Sequence, residues 1–336
     1  MSRMFPAVVL VALTTIGASA AGPESKYRTS RTRDGHPDLQ GVWNFASGVP
    51  LQRPAKFKDR KALTKDEFDA QSVAMRNILV MLTKFAPIEN VGLDWIDNKL
   101  YVEDLRTSLI NYPENGRLPA LMDGIQRMPS IEDIFTALSD ASNGPPLALA
   151  SLVASFAGGP KDSHRDFTTA ERCLNAIAVP IVPGFGDNYM LIIQSNTSAA
   201  LVTDFGRRVV AIDDKPAPKA ASKVRTSTGT SRGHWEGETL VVDTRNFSER
   251  TPGFAGAGGS RDKVVTERFT RTSAGTVEYA ATVVDPATFK DRIELSFPMA
   301  RVDARIFEAT CHEGNYSLAN VLSAARKDDE AQKRKE

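Results

Sequence analysis

The stretch Thr276-Val277-Glu278-Tyr279-Ala280-Ala281-Thr282-Val283-Val284 decides the fold of this chain. Within it, Val277, Tyr279 and Ala281 alternate with residues that face the opposite way. A two-residue period of this kind is typical of a β-strand with one buried face, because successive side chains of a strand point to opposite sides. The stretch is rich in Val and Thr, which favour strands. It therefore predicts a half-buried strand.

The same period continues on both sides of this stretch, in short runs separated by turn residues. Seven more strands are predicted at Met190–Ser195, Ala200–Asp204, Arg207–Ile212, Glu238–Thr244, Lys263–Thr270, Arg292–Phe297 and Arg305–Thr310. Strands do not alternate with helices here, which argues against a doubly wound parallel sheet. We expect a mainly β protein in which residues 175–312 form an antiparallel meander. The meander is either closed as a barrel, with a lipocalin-like barrel as one possibility, or folded as a sandwich.

Residues 21–174 are predicted to form an irregular arm followed by a helical layer against the sheet. Thr64 is a good N-cap, and Glu67 three residues later completes a capping box that opens a helix ending before Pro87. Two shorter helices are predicted at Ser130–Leu138 and Pro146–Phe156. The helical layer is expected to pack on the barrel or to plug it.

The first twenty residues predict export. Arg3 is followed by the apolar run Phe5–Gly17 and then by Ala18-Ser19-Ala20, which has the small residues that signal peptidase requires. Cleavage after Ala20 would leave a periplasmic or secreted protein. The alternative is an uncleaved anchor, but a spanning helix needs about 20 apolar residues. At the other end, residues 313–336 are expected to be a C-terminal segment and a solvated, charged tail.

Charge and cysteine content narrow the classes of function. Arg3 is the only charged residue of the signal, so its removal leaves equal numbers of basic and acidic residues. A balanced charge gives no reason to expect nucleic acid or, after signal cleavage, a membrane as partner. The only two cysteines, Cys173 and Cys311, favour one disulfide in an oxidising compartment. Two buried free thiols are the alternative.

Polar residues cluster at the ends of two predicted strands. His312 and Glu313 follow the last strand, while Arg232, His234, Trp235 and Glu236 precede another. Strand ends line the mouths of barrels, where ligands enter. We interpret His312 as a candidate general base with Glu313 or Glu236 as partner. Arg232 would stabilise developing negative charge, and His234 and Trp235 would contact the ligand. The alternative is that these residues cap strands and close turns.

Other motifs argue against other chemistries. Gly229-Thr230-Ser231-Arg232-Gly233 matches the nucleophile elbow of hydrolases, but neither a strong strand before it nor a helix after it is predicted. The glycines of residues 253–259 lack the Gly-Lys-Ser or Gly-Lys-Thr of a phosphate loop. The four histidines have no metal-ligand spacing. We therefore expect no cofactor and no metal.

Three motifs resemble a large family of uncharacterised exported bacterial proteins. They are Asp34-Gly35-His36-Pro37-Asp38-Leu39-Gln40-Gly41-Val42-Trp43, the run from Arg232-Gly233-His234-Trp235-Glu236-Gly237 to Asp243-Thr244, and Cys311-His312-Glu313-Gly314-Asn315-Tyr316. The resemblance implies further ligand-binding positions at Asp243, Asn246 and Asn315. Relatives often carry histidine and acidic residues in the strand pair that here reads residues 201–208. This chain has no histidine there, which implies that any activity in relatives is altered or lost.

Two classes of function follow from these observations. In the first, the barrel mouth binds a small, uncharged organic molecule, such as an aromatic or sugar-derived compound, and performs acid–base lyase, isomerase or hydrolase chemistry. In the second, the protein is a non-catalytic periplasmic binding protein or an envelope interaction protein. An enzyme should bring the His312 ring within hydrogen-bond reach of a carboxylate at a pocket. A binding protein should have an aromatic-lined pocket without that pair.

Overall fold

The structure is a computed structural model. It describes residues 27–73, 102–127, 162–164, 167, 172–173, 178–183, 188–213, 224–249, 251, 253–259, 261–308, 312–313 and 316–334. The predicted helices at Ser130–Leu138 and Pro146–Phe156 lie outside these residues, as does the signal segment. No helix among the described residues is both long and apolar enough to cross a membrane.

The described chain is mainly β, as the sequence predicts. Its strands are β1 (Gly41–Asn44), β2 (Ile110–Tyr112), β3 (Tyr189–Gln194), β4 (Ser198–Thr203), β5 (Gly206–Ile212), β6 (Thr230–Glu236), β7 (Thr239–Arg245), β8 (Val264–Ser273), β9 (Thr276–Val284) and β10 (Ile293–Val302). Loops of two or three residues join β3 to β4, β4 to β5, β6 to β7 and β8 to β9. Such short loops force neighbouring strands to run antiparallel.

Nine of the strands close into a barrel. The order is β1-β3-β4-β5-β6-β7-β8-β9-β10, and β1 pairs with both end strands. On one edge Trp43 lies opposite Met190 of β3, and on the other it lies opposite Arg301 of β10. The short strand β2 pairs further along the same edge of β10, opposite Glu294 and Leu295. A barrel therefore forms rather than a sandwich, and the expected arm contributes the strand that closes it.

One pairing departs from the expected antiparallel meander. β5 and β6 run parallel, with Ala211 opposite Arg232 and Ile212 opposite Gly233. The chain between the two strands, residues 213–229, is long enough for the crossover that a parallel pair requires. The barrel is therefore mixed.

Inward side chains fill the described interior. Large buried residues converge from most strands, among them Trp43, Met190, Leu201, Leu240, Phe269, Tyr279, Phe297 and Met299. The aromatic rings of Phe269 and Phe297 both contact that of Tyr279, with ring centroids 5.2 and 4.8 Å apart. A barrel of this size has an interior that side chains can fill, and here they do so.

Among the described residues are two α-helices, one between β1 and β2 in the sequence and one after β10. α1 covers residues 65–73. The Glu67 amide donates to the Thr64 hydroxyl at 3.2 Å, and the Thr64 amide donates to the Glu67 carboxylate at 2.8 Å, which confirms the capping box. A helical layer beyond α1 stays a prediction. α2 (Ser317–Lys333) places a helix where a charged tail was expected, and residues 318–333 include no buried side chain.

The predicted strand at Arg305–Thr310 is wrong for residues 305–308, which have no strand pairing, while residues 309–310 lie outside the described part. The physical reason is the closure of the barrel. The end of β10 is already paired with β1, so no free strand edge remains there for the next segment. The chain instead crosses the outside of the barrel.

Candidate functional site

An open cavity of about 760 Å³ lies against the outer wall of the barrel, and we call it the outer groove. Its floor is a row of apolar side chains across three strands, in which Val42 lies opposite Leu191 and Leu191 opposite Val202. Opposed residues face the same side of a sheet. Their sequence neighbours Trp43, Met190 and Leu201 are buried inside, so the row faces outward.

Two segments complete the outer groove. One segment is residues 203–207, the end of β4, the turn after it and the start of β5, and the other is residues 304–308 with His312. The aromatic rings of Phe205 and Phe307 line it while remaining 42% and 73% exposed. The groove therefore reaches solvent, and it is a different place from the barrel mouth that the sequence suggested.

The rim of the outer groove is charged. Arg207 and Arg305 are exposed, and neither guanidinium group makes an ion pair or hydrogen bond with another described residue. Glu308 and His312 also line the groove. Asp204, which lines it too, has an interaction partner of its own. The arrangement combines an apolar floor with two guanidinium groups that are available to a ligand.

His312 is the one predicted catalytic residue that the structure places at the outer groove. Its ring makes no hydrogen bond to a carboxylate among the described residues. Glu313 is exposed beside it in the sequence but does not line the groove. The predicted pair of His312 with Glu313 or Glu236 is therefore not formed in the described structure.

The predicted site residues of β6 are engaged with other partners on the outside of that strand. The Glu236 carboxylate accepts hydrogen bonds from Arg268 at 2.7 Å and from the His234 ring at 3.1 Å. These two contacts, that with Arg268 being the stronger, lower the pKa of Glu236 below its ordinary value of 4.5. Arg232 donates to Asp213 at 2.6 Å. Glu236 is consequently ionised and salt-bridged at neutral pH, which suits an ion pair better than a general acid.

Trp235 connects two of the motifs that carry the family resemblance. Its ring stacks on that of His36 with centroids 5.3 Å apart and an interplanar angle of 7°. The backbone around His36 is also held to the barrel, because Gln194 donates to the Pro37 carbonyl at 3.0 Å and Arg271 donates to the Asp38 carbonyl at 2.8 Å. These contacts dock the arm on the barrel, so they favour the structural interpretation of both motifs.

The remaining predicted positions are dispersed. Asp243 accepts from the Thr266 hydroxyl at 2.6 Å, on the outside of β7. Asn246 is buried at the end of β7 and does not line the groove. Asn315 and Cys311 lie outside the described residues. Cys173 lines the groove and is disulfide-bonded, while its pairing with Cys311 stays a prediction.

The weaker motif matches are also located. Ser231 is buried within β6, and its hydroxyl shares a 2.9 Å hydrogen bond with that of Thr244. A nucleophile elbow needs a serine exposed on a strand-to-helix turn, so this serine does not form one. The described residues contain no group of three or more His, Cys, Asp or Glu side chains arranged to hold a metal ion.

Comparison with protein-family models, with curated proteins and with solved structures gave no match. The outer groove is therefore interpreted from its own residues. Sequence reasoning missed its floor and both arginines. Leu191 and Val202 are apolar residues on the outward face of adjacent strands and were a signal for the floor. Val42, which completes the row, lies far away in the sequence.

Proposed function

We propose that the protein binds a small organic molecule with an apolar body and an acidic group in the outer groove. The observation that carries the proposal is the cavity of about 760 Å³ on the cross-strand floor of Val42, Leu191 and Val202. Ligand sites are typically concave spaces of roughly 300–1,000 Å³ with apolar walls and a few polar groups. The outer groove has both attributes.

The acidic group follows from the rim. Arg207 and Arg305 present guanidinium groups that form no ion pair with a described residue. A guanidinium group binds a carboxylate through two parallel hydrogen bonds, which adds orientation as well as energy. Phe205 and Phe307 offer aromatic surface to the body of the ligand. The groove thus favours an aromatic carboxylate over the uncharged molecule expected from the sequence.

Acid–base chemistry is a second candidate, favoured by one observation. His312 and Glu308 line the same cavity, so a histidine and a carboxylate both face the proposed ligand. Histidine titrates near neutral pH and is the commonest general base. A lyase, isomerase or hydrolase step at the bound molecule is compatible with that pair. Binding without reaction is the preferred function because no hydrogen bond joins the His312 and Glu308 side chains among the described residues.

The proposed location remains the periplasm or the exterior of the cell. The signal-like residues 1–20 support it. The disulfide-bonded state of Cys173 also supports it, because disulfides persist in oxidising compartments. Nothing about the outer groove calls for a nucleic acid or a membrane.

The binding proposal predicts selectivity for charge. Benzoate should bind and benzamide should bind more weakly, with affinities measured by ligand-observed NMR titration. Arg207→Ala should weaken benzoate binding about tenfold, because a hydrogen bond to a charged group is worth about 1.5 kcal/mol or more. The same variant should leave benzamide nearly unaffected.

A matched control is available in Arg117, which is exposed and does not line the groove. Arg117→Ala should bind benzoate as the unmodified protein does. Equal loss of benzoate binding in both variants, or binding of benzamide as tight as that of benzoate, would exclude the proposed role of Arg207. Turnover of bound molecules that disappears in His312→Ala would favour the second candidate.

A further inference from the structure

Three polar residues lie in a row at one end of the barrel interior. The registers of β7 with β8 and of β8 with β9 are continuous up to Val265. Lys263 directly precedes β8, Asn246 directly follows β7 and Asp285 directly follows β9, so all three lie at the same end of three adjacent strands. Side chains two residues apart share a face of a strand, so Lys263 faces the interior as the buried Val265 does.

This row, Asn246–Lys263–Asp285, is almost completely buried. The exposed fractions are 2% for Asn246, 4% for Lys263 and 2% for Asp285. Neither amide atom of Asn246 and neither carboxylate oxygen of Asp285 has a hydrogen-bond partner of good geometry. Buried polar atoms are almost always paired, so four unpaired atoms just past the ends of β7 and β9, the two strands that flank β8, require an explanation.

The environment of the Lys263 side chain favours its neutral, nucleophilic form. Its Nζ donates to the Val179 carbonyl at 3.0 Å and lies 4.3 Å from the ring centroid of Phe247. Burial lowers the pKa of the amine from 10.5 to about 8, although the charges of Asp285 and Glu267 oppose this. A desolvated lysine has an appreciable neutral fraction near neutral pH, and the neutral amine is the reactive form.

The pKa of Asp285 is shifted in the opposite direction from that of Lys263. Burial raises the pKa of its carboxyl group above 3.8, while the Thr288 hydroxyl, the charge of Lys263 and the Ala287 amide partly offset that effect. A carboxyl group whose pKa is raised keeps its proton to a higher pH and can act as a general acid. Asp285 follows β9, which pairs with β8, and Lys263 precedes β8 at the same end of the sheet.

We propose that Lys263 and Asn246 form an intramolecular amide bond, with Asp285 as the proton-transfer group. The Nζ lone pair attacks Cγ of Asn246, and the carboxyl group of Asp285 donates a proton to the oxygen of the addition intermediate. As the intermediate collapses, the bond from Cγ to Nδ2 breaks. The proton lost from Nζ leaves with Nδ2, so that one ammonia is released and Asp285 regains its proton.

The amide bond between Lys263 and Asn246 removes an unfavourable buried charge. The cationic amine becomes a neutral amide nitrogen, which removes a charge that is costly to bury. The new bond closes the chain between residues 246 and 263, where β7 passes to β8 through the glycine-rich segment 253–259. A covalent closure of that loop limits the conformations of the unfolded chain, as a disulfide does.

The test is mass spectrometry on the full-length chain as purified, after reduction of disulfides. We expect the intact mass to be lower by one ammonia than the mass of the sequence. Trypsin should release a branched peptide that joins Asn246–Arg250 to Asp262–Arg268, because the enzyme does not cleave after an acylated Lys263.

Single substitutions test whether each of the three residues is required for the amide bond. Lys263→Met, Asn246→Ala and Asp285→Asn should each show the mass of its unmodified sequence, whereas the exposed Lys290→Met should keep the loss of ammonia. The native chain decides the question even if a variant does not fold. A full-length chain at its unmodified mass overturns the proposal. Loss of ammonia without the branched peptide, or loss of water with a branch at Asp285, overturns it equally.

Discussion

Two deeply buried charges inside the barrel form an ion pair. Arg208 donates to both carboxylate oxygens of Glu267 at 2.5 and 2.9 Å, with side chains 3% and 0% exposed. The Tyr279 hydroxyl donates to the same carboxylate at 2.9 Å and accepts from the Ile181 amide at 2.9 Å. Burial is the main cause that raises the pKa of Tyr279 well above 10.0, so the phenol remains a donor. The pair orders β5 against β8 across the interior.

Breaking this pair should destabilise the protein strongly. Glu267→Leu is expected to lower the free energy of unfolding by about 3–5 kcal/mol, because it leaves the Arg208 charge buried and unpaired. Arg208→Met combined with Glu267→Leu should cost less than Glu267→Leu alone, since no charge then remains. Urea denaturation measures all three proteins. A double variant less stable than the single variant would contradict this explanation.

At the scale of elements, the shortest strand of the barrel has the largest structural role. β1 has four residues and joins β3 to β10. Trp43 is fully buried at its centre, and its indole Nε1 donates to the Leu39 carbonyl at 2.8 Å. Arg271 lies over the same indole ring at 5.7 Å. The Trp43 side chain thus anchors in the interior the strand that closes the barrel.

Trp43→Ala should open the barrel at this strand. Loss of the buried indole is expected to cost about 3–5 kcal/mol. Amide hydrogen exchange should then accelerate at Gly41–Asn44 and along the paired edge of β3, while β8 and β9 stay protected. Met122→Ala, which truncates a 39% exposed side chain outside the barrel, is the control. Equal acceleration in every strand would show that β1 does not act as a separate closing element.

Whether a strand could be predicted from the sequence depended on how apolar its inward-facing residues are. β9 was predicted with its observed bounds because its inward positions are apolar. β6 was missed because its inward positions are Ser231 and Gly233, which show no hydrophobic period. The structure explains the glycine: a Cβ on Gly233 would lie 3.0 Å from Val210 and 3.3 Å from Leu240. Crowding from neighbouring strands selected small residues there, and a single sequence does not reveal such neighbours.

At the scale of the whole molecule, strand alternation specified a filled barrel but did not specify where a ligand would bind. The fold class followed from local patterns, since each strand carries its own period. The outer groove combines residues near positions 42, 191, 202 and 305, and only closure of the barrel brings them together. The histidine at position 312 was identified from sequence, whereas Arg207 and Arg305 looked like ordinary exposed charges.

The central claim is that the ligand binds on the outer wall and not inside the barrel. The most direct measurement is a methyl NMR titration with benzoate. Methyl shifts are expected at Val42, Leu191 and Val202, and not at the interior residues Val242 and Val265. Shifts confined to the interior methyls, or no shifts at the groove floor at saturating benzoate, would contradict the account.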